Sequence, residues 1–117
     1  MNAQNISILI VDDEMIVRSS LKSWLEEDGY QIETAASAED ALKMLQEQAF
    51  SIILLDIKMP GLDGIELLRR VKQVNPNIEV VMITAYATIE SAVEAMKIGA
   101  FDYIINPTSS GSKGLVM

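Results

Sequence analysis

Three short, wholly apolar runs do most to limit what this chain can fold into: Ile8-Leu9-Ile10-Val11, Ile52-Ile53-Leu54-Leu55 and Val80-Val81-Met82-Ile83. Each is short for a helix and lacks a polar face, as expected of a strand buried on both sides of a parallel sheet. Gln31 to Ala35 and Phe101 to Ile105 read as two further strands. Helical patterns lie between the runs. From Met15 to Asp28 the residues Val17, Leu21, Trp24 and Leu25 recur at helical spacing, and Gly29 supplies the stop. A second helix starts behind Ser37, a candidate N-cap, with Ala41, Leu42, Leu45 and Ala49 as its stripe. A third runs from Ile65 to Val74 and ends at Asn75-Pro76-Asn77; Ile89, Val93 and Met96 mark a fourth, closed by Gly99. Strands alternating with helices imply right-handed βαβ units, hence an α/β, doubly wound parallel sheet.

At 117 residues the chain fits one domain and can bury a real core. The expected domain spans 1–107, followed by a Ser- and Gly-rich tail at 108–117. A final helix is expected to cover one face of the sheet, and Thr108 to Met117 lack the pattern for it. The final helix is therefore read as missing or altered. A different natural continuation, a shifted reading frame and a cover supplied by a partner remain open. The start lacks a charged n-region, and no run approaches the ~20 apolar residues of a membrane span, so a cytoplasmic protein is expected.

The chain carries 9 Lys plus Arg against 17 Asp plus Glu, a net charge of −8, and has no His and no Cys. Ser-His-Asp and thiolate catalysis are excluded, as are Cys/His zinc sites and disulfides. The acidity argues against direct nucleic-acid binding and against anionic membranes. Any metal must be a hard cation held by oxygens, which means Mg2+, Ca2+ or Mn2+.

In an open parallel sheet, ligands bind beyond the carboxyl ends of the strands. The first run ends on Asp12 and Asp13, the third strand on Asp56 and the fourth on Thr84. Taken singly, each has a plainer reading. Asp12, Asp13 and Glu14 suit a helix N-terminus, Asp56 a loop, Thr84 a cap, Tyr103 a half-buried strand and Lys58 the surface. Together they place three carboxylates and a hydroxyl at one edge. Carboxylates that close repel one another unless a cation sits among them, and Mg2+ beside carboxylates suits a phosphoryl substrate.

The segments Ile10-Val11-Asp12-Asp13-Glu14, Leu54-Leu55-Asp56-Ile57-Lys58-Met59-Pro60-Gly61-Leu62-Asp63-Gly64 and Ile83-Thr84-Ala85 closely resemble the receiver domains of two-component response regulators. The resemblance runs from about Ile6 to Pro107, and Thr84 to Lys97 with Gly99 to Tyr103 is most similar to the NtrC-type subgroup. It implies a flavodoxin-like five-stranded sheet of order 2-1-3-4-5. It also implies that Asp56 is the phosphoacceptor, and that Asp12, Asp13, Asp56 and the Lys58 backbone carbonyl hold Mg2+. Thr84 would bind the phosphoryl group and Tyr103 would follow Thr84 as a switch. The implied partners are a sensor histidine kinase as donor, since the chain has no His of its own, a second copy in a homodimer, and output ATPase and DNA-binding modules in a longer parent; the apolar sheet surface that a missing final helix leaves uncovered points instead to association or a domain-exchanged dimer. The implied output surface is the Thr88 to Gly99 helix with the fifth strand.

One position departs from the family. The Lys that precedes the proline after the fifth strand is Asn106 here, before Pro107. Asn is neutral and shorter, so one balancing charge is lost from the site. Two readings follow: a phosphorylation switch that promotes only its own phosphoryl transfer and is not a turnover enzyme, or a degenerate receiver acting as a phosphorylation-independent interaction module. A phosphohydrolase of the haloacid-dehalogenase type wants an acid two residues after the nucleophile, and position 58 is Lys.

Overall fold

The computed structural model describes residues 6–56, 64–84 and 89–105, and for Thr84, Ile89, Tyr103 and Ile105 the backbone alone. Chain order is β1 (Ser7–Val11), α1 (Met15–Glu27), β2 (Gln31–Ala35), α2 (Ala38–Glu47), β3 (Ile52–Leu55), α3 (Gly64–Val74), β4 (Glu79–Thr84), α4 (Ile89–Ile98) and β5 (Asp102–Ile105). All strand pairs are parallel, in the order β2-β1-β3-β4-β5. The position of the expected final helix, in 106–117, lies outside the described residues.

The apolar runs become strands because the sheet buries them: β1, β3 and β4 share one covered face, and β1 and β3 are covered on the other face as well. Leu9, Val11, Ile53, Leu55, Val80 and Met82 pack with Ala41, Leu67, Leu68, Val71 and Ala95 of the helices. Ile8, Ile10 and Ile32 make a smaller core with Leu21 and Leu25 of α1. Removing such side chains from water at ~25 cal/mol per Å2 of apolar surface is the main force that holds the layers together.

The helix ends follow local chemistry. Ser37 caps α2, its hydroxyl accepting from the Asp40 N–H at 3.1 Å. Gly29 adopts φ +93° after α1, so its N–H and that of Tyr30 return to the carbonyls of Glu26 and Leu25.

Five side chains differ from the sequence expectation. Ala49 lies beyond the end of α2 and is exposed. Trp24 is 58% exposed on α1, and Phe101 is 65% exposed just ahead of β5. On α4 the spacing is helical, but Val93 and Met96 are about half exposed while Ala95 meets the core. A helix packed through a small residue sits close to the sheet and leaves larger neighbours at its flanks.

Candidate functional site

β1 and β3 are neighbours, with Val11 opposite Leu55, so the next residue on each strand, Asp12 and Asp56, emerges side by side. The ladder continues a rung past the strands: the Asp12 N–H donates to the Ala35 carbonyl at 3.2 Å, and the Asp56 N–H to the Val11 carbonyl at 3.1 Å. The chain then turns into α1. One Asp12 carboxylate oxygen accepts from the Glu14 N–H at 2.9 Å, and the Asp12 carbonyl accepts from Arg18 Nη1 at 2.8 Å.

This turn brings one carboxylate oxygen from each of Asp12, Asp13 and Asp56 within 4.8 Å of one another. Asp12 is 8% exposed, the one buried charged residue among those described; Asp56 is half-buried and Asp13 exposed. Burial pushes the Asp12 carboxyl from 3.8 up to about 6. The Glu14 N–H works against that shift, and the charges of Asp56, Asp13 and Glu14 add to it. Among the described residues, the charges that act on the Asp12 carboxyl are those of the acids beside it, Asp56, Asp13 and Glu14. An all-oxygen donor set under that repulsion fits a hard divalent cation.

The structure therefore brings together three of the expected site residues. Thr84 closes β4, and Tyr103 sits in β5 opposite Met82, but their side chains lie outside the described residues, as do Lys58 and Asn106 entirely. Arg18 was not expected at the site. Its signal in the sequence is a lone cation one turn into the helix that follows Asp12-Asp13-Glu14. Among the described residues no helix is long and apolar enough to cross a membrane.

Three comparisons bear on identity. The response regulator receiver domain family matches residues 8–112. The transcriptional regulatory protein ZraR of Escherichia coli (strain K12) is 43% identical over 111 residues, which cover 92% of this chain and 24% of that protein. The chain thus spans about a quarter of that relative's length. A CheY-like response regulator receiver domain protein from Methanospirillum hungatei JF-1 superposes with a TM-score of 0.83 at 37% identity, covering 90% of this chain and 86% of that one. The response regulator TrrA from Thermotoga maritima, solved in complex with Mg2+ and BeF, gives 0.79 at 34% identity, covering 86% of each chain. With a match across most of its length and the acidic edge where such a fold binds ligands, the chain belongs to the response regulator receiver domain family.

Proposed function

We propose that this domain is a phosphorylation switch of two-component signalling, accepting a phosphoryl group on Asp56 from the phosphohistidine of a sensor kinase. The observation that carries the reading is the meeting of Asp12, Asp13 and Asp56 at the ends of adjacent strands. In the transfer an Asp56 carboxylate oxygen attacks phosphorus in line, the P–N bond breaks, and the departing imidazole of the kinase takes up a proton. Asp12, Asp13 and Asp56, with the Lys58 carbonyl, would hold Mg2+, and Mn2+ could replace it. A cation held there would supply positive charge to offset the negative charge that gathers as the phosphoryl group is transferred. That a related receiver, TrrA, was solved with Mg2+ and BeF supports this choice.

Asp12 is held in place for its part before any ligand arrives. Its N–H, its carbonyl and one carboxylate oxygen are already engaged, which leaves the other oxygen for the cation. Thr84 donates its hydroxyl to the new phosphoryl group, and Tyr103 responds to Thr84. The output passes through α4 and β5 to a second copy of the domain, or to ATPase and DNA-binding modules of a longer parent that controls transcription. The domain acts in the cytoplasm, promotes only its own phosphorylation and dephosphorylation, and turns over no substrate.

Asn106 favours a second reading, a degenerate receiver that binds its partner unphosphorylated. Three ionised carboxylates are balanced by Mg2+ and a Lys; with Asn one negative charge is left over, and the phosphoryl group adds about another. Losing one charge-assisted contact costs about 1–3 kcal/mol. Intact-mass analysis after incubation with acetyl phosphate and Mg2+ separates the two. A phosphoryl adduct that Asp56→Asn abolishes supports the switch. No adduct, with Mg2+ bound, selects the degenerate module. Asn106→Lys raises occupancy if the missing charge limits it.

A further inference from the structure

We propose that Arg18 is a positioning residue for the cation site, fixing the peptide unit that joins Asp12 to Asp13. The inference rests on the reading of Asp12, Asp13 and Asp56 as a Mg2+ site. The Asp12 carbonyl belongs to a planar peptide whose other end is the Asp13 nitrogen. The orientation of that plane sets ψ of Asp12 and φ of Asp13, and hence where the two carboxylates stand relative to each other. At the end of β1 the sheet supplies a partner for the Asp12 N–H, which donates to Ala35. The carbonyl instead receives Arg18 Nη1 at 2.8 Å.

Arg18 is tied to the same turn twice. Its own N–H makes the first helical hydrogen bond to the Glu14 carbonyl at 3.1 Å, while its guanidinium reaches back to Asp12. With the Glu14 N–H on the Asp12 carboxylate, the segment from Asp12 to Arg18 is closed by three hydrogen bonds. Asp13, the exposed member of the cluster, inherits its direction from this frame. The guanidinium suits the task because it stays charged, donates in a fixed plane, and has no lone pair with which to compete for the cation.

The test uses the full chain and Mg2+ alone as probe, titrated by calorimetry at neutral pH into wild type, Arg18→Met and Arg18→Lys. Thermal unfolding of each is run in EDTA. Arg18→Met is expected to weaken Mg2+ binding about tenfold, in the range seen when a partner of a metal ligand is removed. Arg18→Lys, which keeps a cationic donor, is expected to recover most of that loss. With acetyl phosphate, the Mg2+ concentration giving half-maximal rate rises by the same factor, while the rate at saturating Mg2+ stays within about twofold of wild type, because ligands and nucleophile are untouched. A merely structural arginine would lower the midpoint in EDTA and leave Mg2+ affinity unchanged, and that result overturns the proposal. If Arg18→Met does not fold, Arg18→Gln is measured in its place, with weakened Mg2+ binding again expected and unchanged binding again overturning it. A folded wild type that takes up no Mg2+ overturns the cation reading itself, and the role of Arg18 with it.

Discussion

The two ends of the same sheet are built on opposite electrostatic terms. At the carboxyl edge, Asp12, Asp13 and Asp56 crowd within 4.8 Å, and burial holds Asp12 near a pKa of about 6. At the amino edge, one cation meets two carbonyls: Lys72 Nζ donates to Pro76 and to Ile78, each at 2.9 Å, while Asn75 accepts the Asn77 N–H within the same turn. The first arrangement raises the free energy of the metal-free protein; the second lowers it. One edge is left wanting a ligand, and the other is complete within the chain.

Five substitutions test that contrast, from the largest expected effect to the smallest. Asp12→Asn removes a buried charge while keeping an acceptor for the Glu14 N–H. In EDTA at neutral pH it is expected to stabilise the fold by about 3 kcal/mol, taking the shift from 3.8 to about 6 at 1.36 kcal/mol per unit. The sign follows from proton binding: between those two values the folded state holds the extra proton, so the stability that Asp12 contributes is fully present below about 4 and is lost as pH rises through about 6. Urea unfolding in EDTA across that range checks it; the slope disappears in Asp12→Asn, and a neutral-pH loss of stability on substitution would break the contrast.

Lys72→Met acts with the opposite sign, costing about 1–2 kcal/mol for two charge-assisted bonds that water partly replaces, with Mg2+ affinity unaltered. Gly99 lies over this lysine with φ +126°, and a Cβ there would stand 3.1 Å from Lys72 Cε. Lys72→Met and Gly99→Ala should therefore be non-additive in a double-mutant cycle. Ser37→Ala removes the α2 cap beside the acidic edge and costs about 1 kcal/mol, again without touching Mg2+ binding. Arg69→Met breaks the 3.4 Å pair with Glu94 that joins α3 to α4. Both partners are well exposed, so melting should move by no more than the equivalent of ~0.5 kcal/mol.

Much of the fold was legible because burial and period speak through residue type. Ile8 to Val11 and Ile52 to Leu55 are strands as read, and Ser37 caps α2 as its chemistry implies. The faces of α1 and α4 were less legible. Trp24, Val93 and Met96 fit a helical stripe, but which side turns inward depends on neighbours far along the chain, and Ala95, the residue α4 buries, carries little signal of its own. At the site, the acids announce themselves as the last residues of apolar runs. The bond from Arg18 to the Asp12 carbonyl does not, because main-chain acceptors are the same in every sequence and only the turn decides which is left over.

The ladder rungs that Asp12 and Asp56 make past their strands act as a ruler. Neighbouring strands lie ~4.8 Å apart whatever their side chains, and the two acids stand on adjoining strands immediately beyond the Val11–Leu55 pair. The aperture between them is thus set by main-chain hydrogen bonding, which substitution on the helices does not rescale. Helix surfaces can drift to suit new partners while the gap that receives the ligand keeps its width, and only an insertion or register slip within β1 or β3 would alter the gauge.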